Sequence, residues 1–170
     1  MRYITLITTG GTIEKTYDEG TGTLENRRSI VRRMLTRLRL EDTQVSCQEL
    51  MSKDSLVMTD DDRAAIVTAV RNAAAVSPRP AGIVILHGTD TLNVTGELLA
   101  AELRPCAVPV VLTGAMRPFE MTRSDALQNL TEAVFAAGVL APGVYCVAHG
   151  RALAFPGVVK DRAKHTFVKA

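Results

Sequence analysis

The sequence predicts an α/β fold: a doubly wound, mostly parallel sheet between two helical layers, Rossmann-like or flavodoxin-like, in a single domain spanning residues 1–170. Three observations lead to it. Short, continuous apolar runs such as "AGIVIL" recur, and runs of that length suit strands buried on both faces. Segments with helical spacing separate these runs. Stretches rich in Gly, Thr and Asp follow the ends of the strands, where open parallel sheets bind ligands.

The elements follow in order. Tyr3–Thr8 alternates β-branched and apolar residues and reads as a buried strand. Thr9–Asn26 is rich in Gly, Thr, Asp and Glu and reads as a long loop; loops of that length in compact domains tend to be functional. Ser29–Leu40 has helical spacing, with Ile30, Met34, Leu35 and Leu38 on one face. Thr43–Leu50 is the second strand. Asp60–Val76 is a helix with Ala65, Ile66, Ala69, Val70 and Ala73 inward, capped by Thr59 or Asp60. Ala81–Leu86 is a strand, Leu92–Leu103 a helix, Val108–Leu112 a strand, Ser124–Ala136 a helix and Val144–Ala148 a fifth strand. The segment from Lys160 to Lys169 reads as a solvated basic tail, although Lys160 follows the apolar "GVV" and so has a route to partial burial.

Composition narrows the partners. The formal net charge is +2, too small for a dedicated nucleic-acid or membrane-surface role. The arginines Arg27, Arg28, Arg32, Arg33, Arg37 and Arg39 lack interleaved aromatics and read as a solvated helix face. Cys47, Cys106 and Cys146 have no CxxC spacing, which favours reduced, buried thiols in the cytoplasm. His87, His149 and His165 lack metal-ligand spacing, so no metal and no cofactor are expected. The N-terminus has no signal-peptide pattern, and no apolar run is long enough for a membrane span.

Read strand by strand, the polar residues collect at one edge. "TTGGT" (Thr8–Thr12) follows the first strand, Asp54-Ser55 the second, "HGTDT" (His87–Thr91) the third, "TGAMRP" the fourth and His149-Gly150-Arg151 the fifth. "TTGGT" is neither a dinucleotide fingerprint nor a P-loop, since no GK[ST] follows. It is compatible with a plain Gly-Gly turn, or with a threonine nucleophile beside oxyanion donors. "HGTDT" reads equally as a helix cap at Asp90 or Thr91. His87 is expected to be structural, pointing back into the helical layer, and Arg117 to fix its own loop. A lysine near Asp90 would hold that carboxylate ionised and could itself shed a proton.

Together, "TTGGTIEK", "VILHGTDTL", "VPVVLTGAMRP" and "DALQNLTEAV" resemble the bacterial-type L-asparaginase family, from Tyr3 to about Lys160. The resemblance implies an α/β amidohydrolase in which Thr12 attacks the side-chain amide. It implies that Thr89 and Asp90 form the second half of the site, Asp90 receiving the substrate α-amino group. Lys160, in "GVVKDR", would pair with both; Ser55 would take the α-carboxylate, and Gly11 and Ala115 would be backbone contacts at the scissile amide. The substrate implied is L-asparagine, with L-glutamine as the second candidate, in a homo-oligomer (dimer or tetramer). The chain departs from the pattern in two places. The family's lid tyrosine lies about ten or more residues after the nucleophile, whereas here Tyr17 follows by five, on a Gly-rich loop with Gly20 and Gly22; Tyr17 is the catalytic candidate that would swing in on this lid as proton acceptor. The family's C-terminal domain is expected to be absent, leaving a more open site and weaker substrate binding. A ligand sensor that has lost turnover and a nucleotide-binding module using Gly10-Gly11 are the competing classes.

Overall fold

The computed structural model describes all residues from 1 to 170. Its core is a six-stranded sheet. β1 (Arg2–Gly10) lies between β4 (Thr43–Lys53) and β5 (Gly82–Leu86), followed outward by β6 (Pro109–Thr113), β7 (Gly143–Ala148) and β8 (Arg151–Ala154). All neighbouring pairs are parallel except β7–β8, which is antiparallel. The parallel strands therefore run in the flavodoxin-like order, and the topology switches beside β1. After β1 the chain crosses to β4 on one side, whereas β5 enters on the other, so a crevice opens at their carboxyl ends.

Both faces of the sheet are covered. Ile83 and Ile85 of β5 pack with Ile66 and Val70 of α2 (Asp60–Ala75) and with Leu92 and Leu99 of α3 (Leu92–Glu102). Val84 and Leu86 point the other way, into Met34 of α1 (Val31–Leu35) and Leu130 and Ala133 of α4 (Ala126–Ala137). This alternation across two buried faces explains why the central runs are continuously apolar. Thr59 caps α2 through a reciprocal capping box with Asp62.

Three predicted boundaries change. The helix predicted over Ser29–Leu40 is helical only at Val31–Leu35; Leu38 and Leu40 still pack against the core from non-helical backbone. The predicted loop Thr9–Asn26 contains a 3-10 turn (Thr12–Glu14) and a small hairpin, β2 (Thr16–Asp18) with β3 (Thr23–Glu25). The segment read as a solvated tail is a second hairpin, β9 (Val158–Asp161) with β10 (Thr166–Lys169). Val158 and Phe167 anchor it in the core and hold Lys160 against the main body.

Candidate functional site

Four of the loops that leave parallel strands meet at the crevice, and glycine makes the meeting possible. Gly11 has φ +80, and a Cβ there would fall 2.4 Å from the Gly88 nitrogen. A Cβ on Gly88 would fall 2.5 Å from Ser55 Oγ, and one on Gly114 3.1 Å from Thr89 Cγ2. The ends of β1, β4, β5 and β6 are thus in direct contact, and a methyl group at either Gly11 or Gly88 would force two of them apart.

The hydroxyls divide into buried and available ones. Thr8 and Thr9 are fully buried, and Thr9 Oγ1 donates to the Leu86 carbonyl at 2.8 Å, so this pair is structural. Thr12 is half-buried on the 3-10 turn just beyond Gly11. Both backbone polar groups of Gly11 are engaged within the chain. Its N–H donates to Lys53 O at 2.8 Å, and its carbonyl accepts from Asn26 Nδ2 at 2.8 Å. The backbone N–H groups of Thr89 and Ala115 donate to no group of the chain.

Lys160 links the third loop to the β9–β10 hairpin. Its Nζ donates to Thr89 Oγ1 at 2.8 Å and to Asp90 Oδ1 at 2.9 Å. Thr89 is buried, and the Lys160 side chain is 15% exposed, so this pairing is shielded from solvent. Ser55, also buried, accepts from the Thr91 N–H at 3.3 Å, and its carbonyl accepts from Thr91 Oγ1 at 2.9 Å. The residues brought together are therefore Gly11, Ser55, Thr89, Asp90 and Lys160, with Thr12 flanking them on its turn and Ala115 on the adjoining β6 loop.

Tyr17 is placed differently. It stands on the β2–β3 hairpin, 57% exposed, and its hydroxyl faces Gly22 at 3.9 Å from where a Cβ would be. Its backbone N–H donates to Glu120 Oε2 at 3.0 Å. In this arrangement the phenol makes no hydrogen bond to Thr12, so any role for Tyr17 in proton transfer requires the hairpin to move. His87 is fully buried between the Gly88 carbonyl (2.8 Å from Nδ1) and Thr95 Oγ1 (2.8 Å from Nε2). Burial holds its pKa down at about 4, so it is a neutral strut, as expected from its position just past the strand. Arg117 fixes its loop through the Thr122 carbonyl at 3.2 Å.

Several supporting residues escaped the sequence reading. Glu14 is buried, two residues past Thr12. It accepts from the N–H groups of Gly10 (3.2 Å) and Ile30 (3.3 Å) and from the Ser29 hydroxyl, tying the end of β1 to the start of α1. Burial pushes its pKa up to about 7. Lys15 Nζ donates to Asp54 Oδ2 at 2.7 Å, linking the Thr12 turn to the Ser55 turn, and this bond holds the Asp54 carboxyl below its usual range. Asp125 accepts from the N–H groups of Met116 and Arg117 and meets His149 Nε2 at 2.7 Å; burial acts upward on its pKa, but these bonds outweigh it and the net shift is downward. Asn129 Nδ2 donates to the Gly114 carbonyl at 2.8 Å. The available signal was the i,i+4 pair Asp125 and Asn129 on an otherwise apolar helix face. No group of three or more His, Cys, Asp or Glu side chains is arranged to hold a metal ion. No helix is long and apolar enough to cross a membrane.

Residues 3–167 match the family model described as Asparaginase, N-terminal. An L-asparaginase from Thermococcus kodakarensis is 38% identical over 112 residues, covering 65% of this chain and 33% of that protein. A glutamyl-tRNA(Gln) amidotransferase subunit from Methanococcus vannielii is 32% identical over 158 residues, covering 88% of this chain and 35% of that protein. The solved structure of a probable cytoplasmic L-asparaginase from Campylobacter jejuni superposes with a TM-score of 0.86 at 27% identity, covering 99% of this chain and 54% of that one. The thermostable L-asparaginase structure from Thermococcus kodakarensis gives 0.84 at 29% identity, covering 98% and 51%. The chain thus spans about a third of the length of these curated relatives and about half of the solved ones.

Proposed function

The chain belongs to the asparaginase family, and on that premise we propose that it hydrolyses L-asparagine to L-aspartate and ammonia through an ester on Thr12. The observation that carries this reading is the shielded contact of Lys160 Nζ with both Thr89 Oγ1 and Asp90 Oδ1. A lysine bonded to a buried hydroxyl and a carboxylate can move a proton at that hydroxyl. Thr12 Oγ attacks the side-chain carbonyl of the substrate, and its proton leaves with the amide nitrogen as ammonia. The unengaged N–H groups of Thr89 and Ala115 are suited to hold the oxyanion. Water then attacks the ester. Thr89 orients that water, and Lys160 gives a proton to the departing Thr12 oxygen as it takes one from the water, so that aspartate is released and the Thr12 hydroxyl is restored. Asp90 takes the α-ammonium of the substrate and Ser55 its α-carboxylate.

Ammonia release from L-asparagine by the wild type and by Thr12→Ala tests the reading. The variant is expected to lose at least about a hundredfold in kcat. A second reading, glutamine deamidation as one half of an amidotransferase, is favoured by the likeness to the glutamyl-tRNA(Gln) amidotransferase protein over 88% of this chain. Running L-glutamine alongside L-asparagine separates the two, because the substrates differ by one methylene at the reacting end.

A further inference from the structure

We propose that Arg162 is a specificity residue that reads the free α-carboxylate of the substrate; this rests on the reading of Asp90 given above. Arg162 lies just past β9, two residues after Lys160. Its Nη2 meets Asp90 Oδ1 at 3.0 Å, and Lys160 Nζ meets the same oxygen at 2.9 Å. Two cations therefore share one carboxylate oxygen. Lys160 is enclosed and also engaged by Thr89, whereas the Arg162 side chain is 72% exposed and makes only this contact. A guanidinium has five N–H donors in a planar fork that matches a carboxylate two bonds at a time. Most of that fork is unused here.

The charge balance explains why it is held in reserve. An α-amino acid brings an ammonium and a carboxylate on one carbon. When its ammonium reaches Asp90, it displaces the exposed cation rather than the enclosed one. The incoming carboxylate sits on the same carbon as that ammonium and so comes within reach of the released guanidinium. One ion pair, Asp90–Arg162, is exchanged for two, Asp90 with the ammonium and Arg162 with the carboxylate. A substrate whose α-carboxyl is esterified or in a peptide bond offers only the first. Arg162 thus selects free α-amino acids over the same amide side chain within a peptide or an α-ester.

The test compares L-asparagine with its α-methyl ester, using full-length wild type, Arg162→Gln and Arg162→Lys. Arg162→Gln is expected to raise KM for L-asparagine about tenfold or more, the worth of a charge-assisted bond, with a smaller change in kcat. KM for the ester should move less than about twofold, and Arg162→Lys should recover part of the loss, since a point charge replaces a fork. An unchanged or lower KM for L-asparagine would mean that Arg162 only screens Asp90, and would overturn the proposal, as would equal shifts for both substrates. If the wild type releases no ammonia, the hydrolytic reading fails, and Arg162 is then judged by L-aspartate binding in calorimetry. Binding to the wild type that weakens about tenfold in Arg162→Gln supports the proposal. Equal binding, or no binding to either protein, ends it.

Discussion

Glu14→Gln should expose a pH dependence of stability that two buried groups cancel in the wild type. Burial raises the Glu14 pKa from 4.5 to about 7, so the folded state holds its proton where the unfolded chain has lost it. At about 1.4 kcal/mol for each pH unit between the two values, this contributes about 3 kcal/mol. The stabilisation is fully present below pH 4.5 and is lost as pH rises through about 7. His87 works in the opposite sense. Its pKa falls from 6.5 to about 4, so its share is present above 6.5 and is lost as pH falls through about 4. The two slopes oppose each other between about pH 4.5 and 6.5. Glutamine keeps an acceptor for the Gly10 N–H and a donor for Ser29 but cannot titrate; giving up the Ile30 bond costs about 1 kcal/mol at every pH. Urea unfolding from pH 4.5 to 8 should therefore show the variant gaining about 3 kcal/mol on the wild type as pH rises, with most of the gain between 5 and 7. A stability difference that stays constant across this range would refute the argument.

Further outcomes follow from the same contacts. Lys160→Met removes the amine but keeps the stem, and should lower kcat for L-asparagine by about 10²- to 10⁴-fold while far-UV circular dichroism stays unchanged. Gly88→Ala drives a methyl into Ser55 Oγ, 2.5 Å away, and should raise KM and lower stability by about 1–3 kcal/mol in urea titration. The long edge strand β4 has no outer neighbour in the sheet, so self-association is expected; a concentration-independent monomer in sedimentation velocity would refute it.

The central strands could be read from sequence because both their faces are buried, which leaves an uninterrupted apolar signature in Gly82–Leu86 and Pro109–Thr113. The strand-end residues could be read because parallel topology sends every carboxyl end to one edge. The two hairpins were hidden for different reasons. Thr16–Asp18 and Thr23–Glu25 are three residues each and largely exposed, too short and polar to carry a period. In β9–β10 the buried anchors are the single residues Val158 and Phe167, set among lysines and arginines that dominate the local composition. Nothing in "TIEK" distinguishes the buried carboxyl of Glu14 from a solvated one. Its burial depends on Ser29 and Ile30, fifteen and sixteen residues further along the chain.

The most direct measurement is mass spectrometry of the protein quenched during turnover of L-asparagine. An aspartyl ester is expected on the peptide carrying Thr12, absent from Thr12→Ala and accumulating in Lys160→Met, where deacylation is slowed. An ester on Thr89 instead, or full ammonia release by Thr12→Ala, would contradict it.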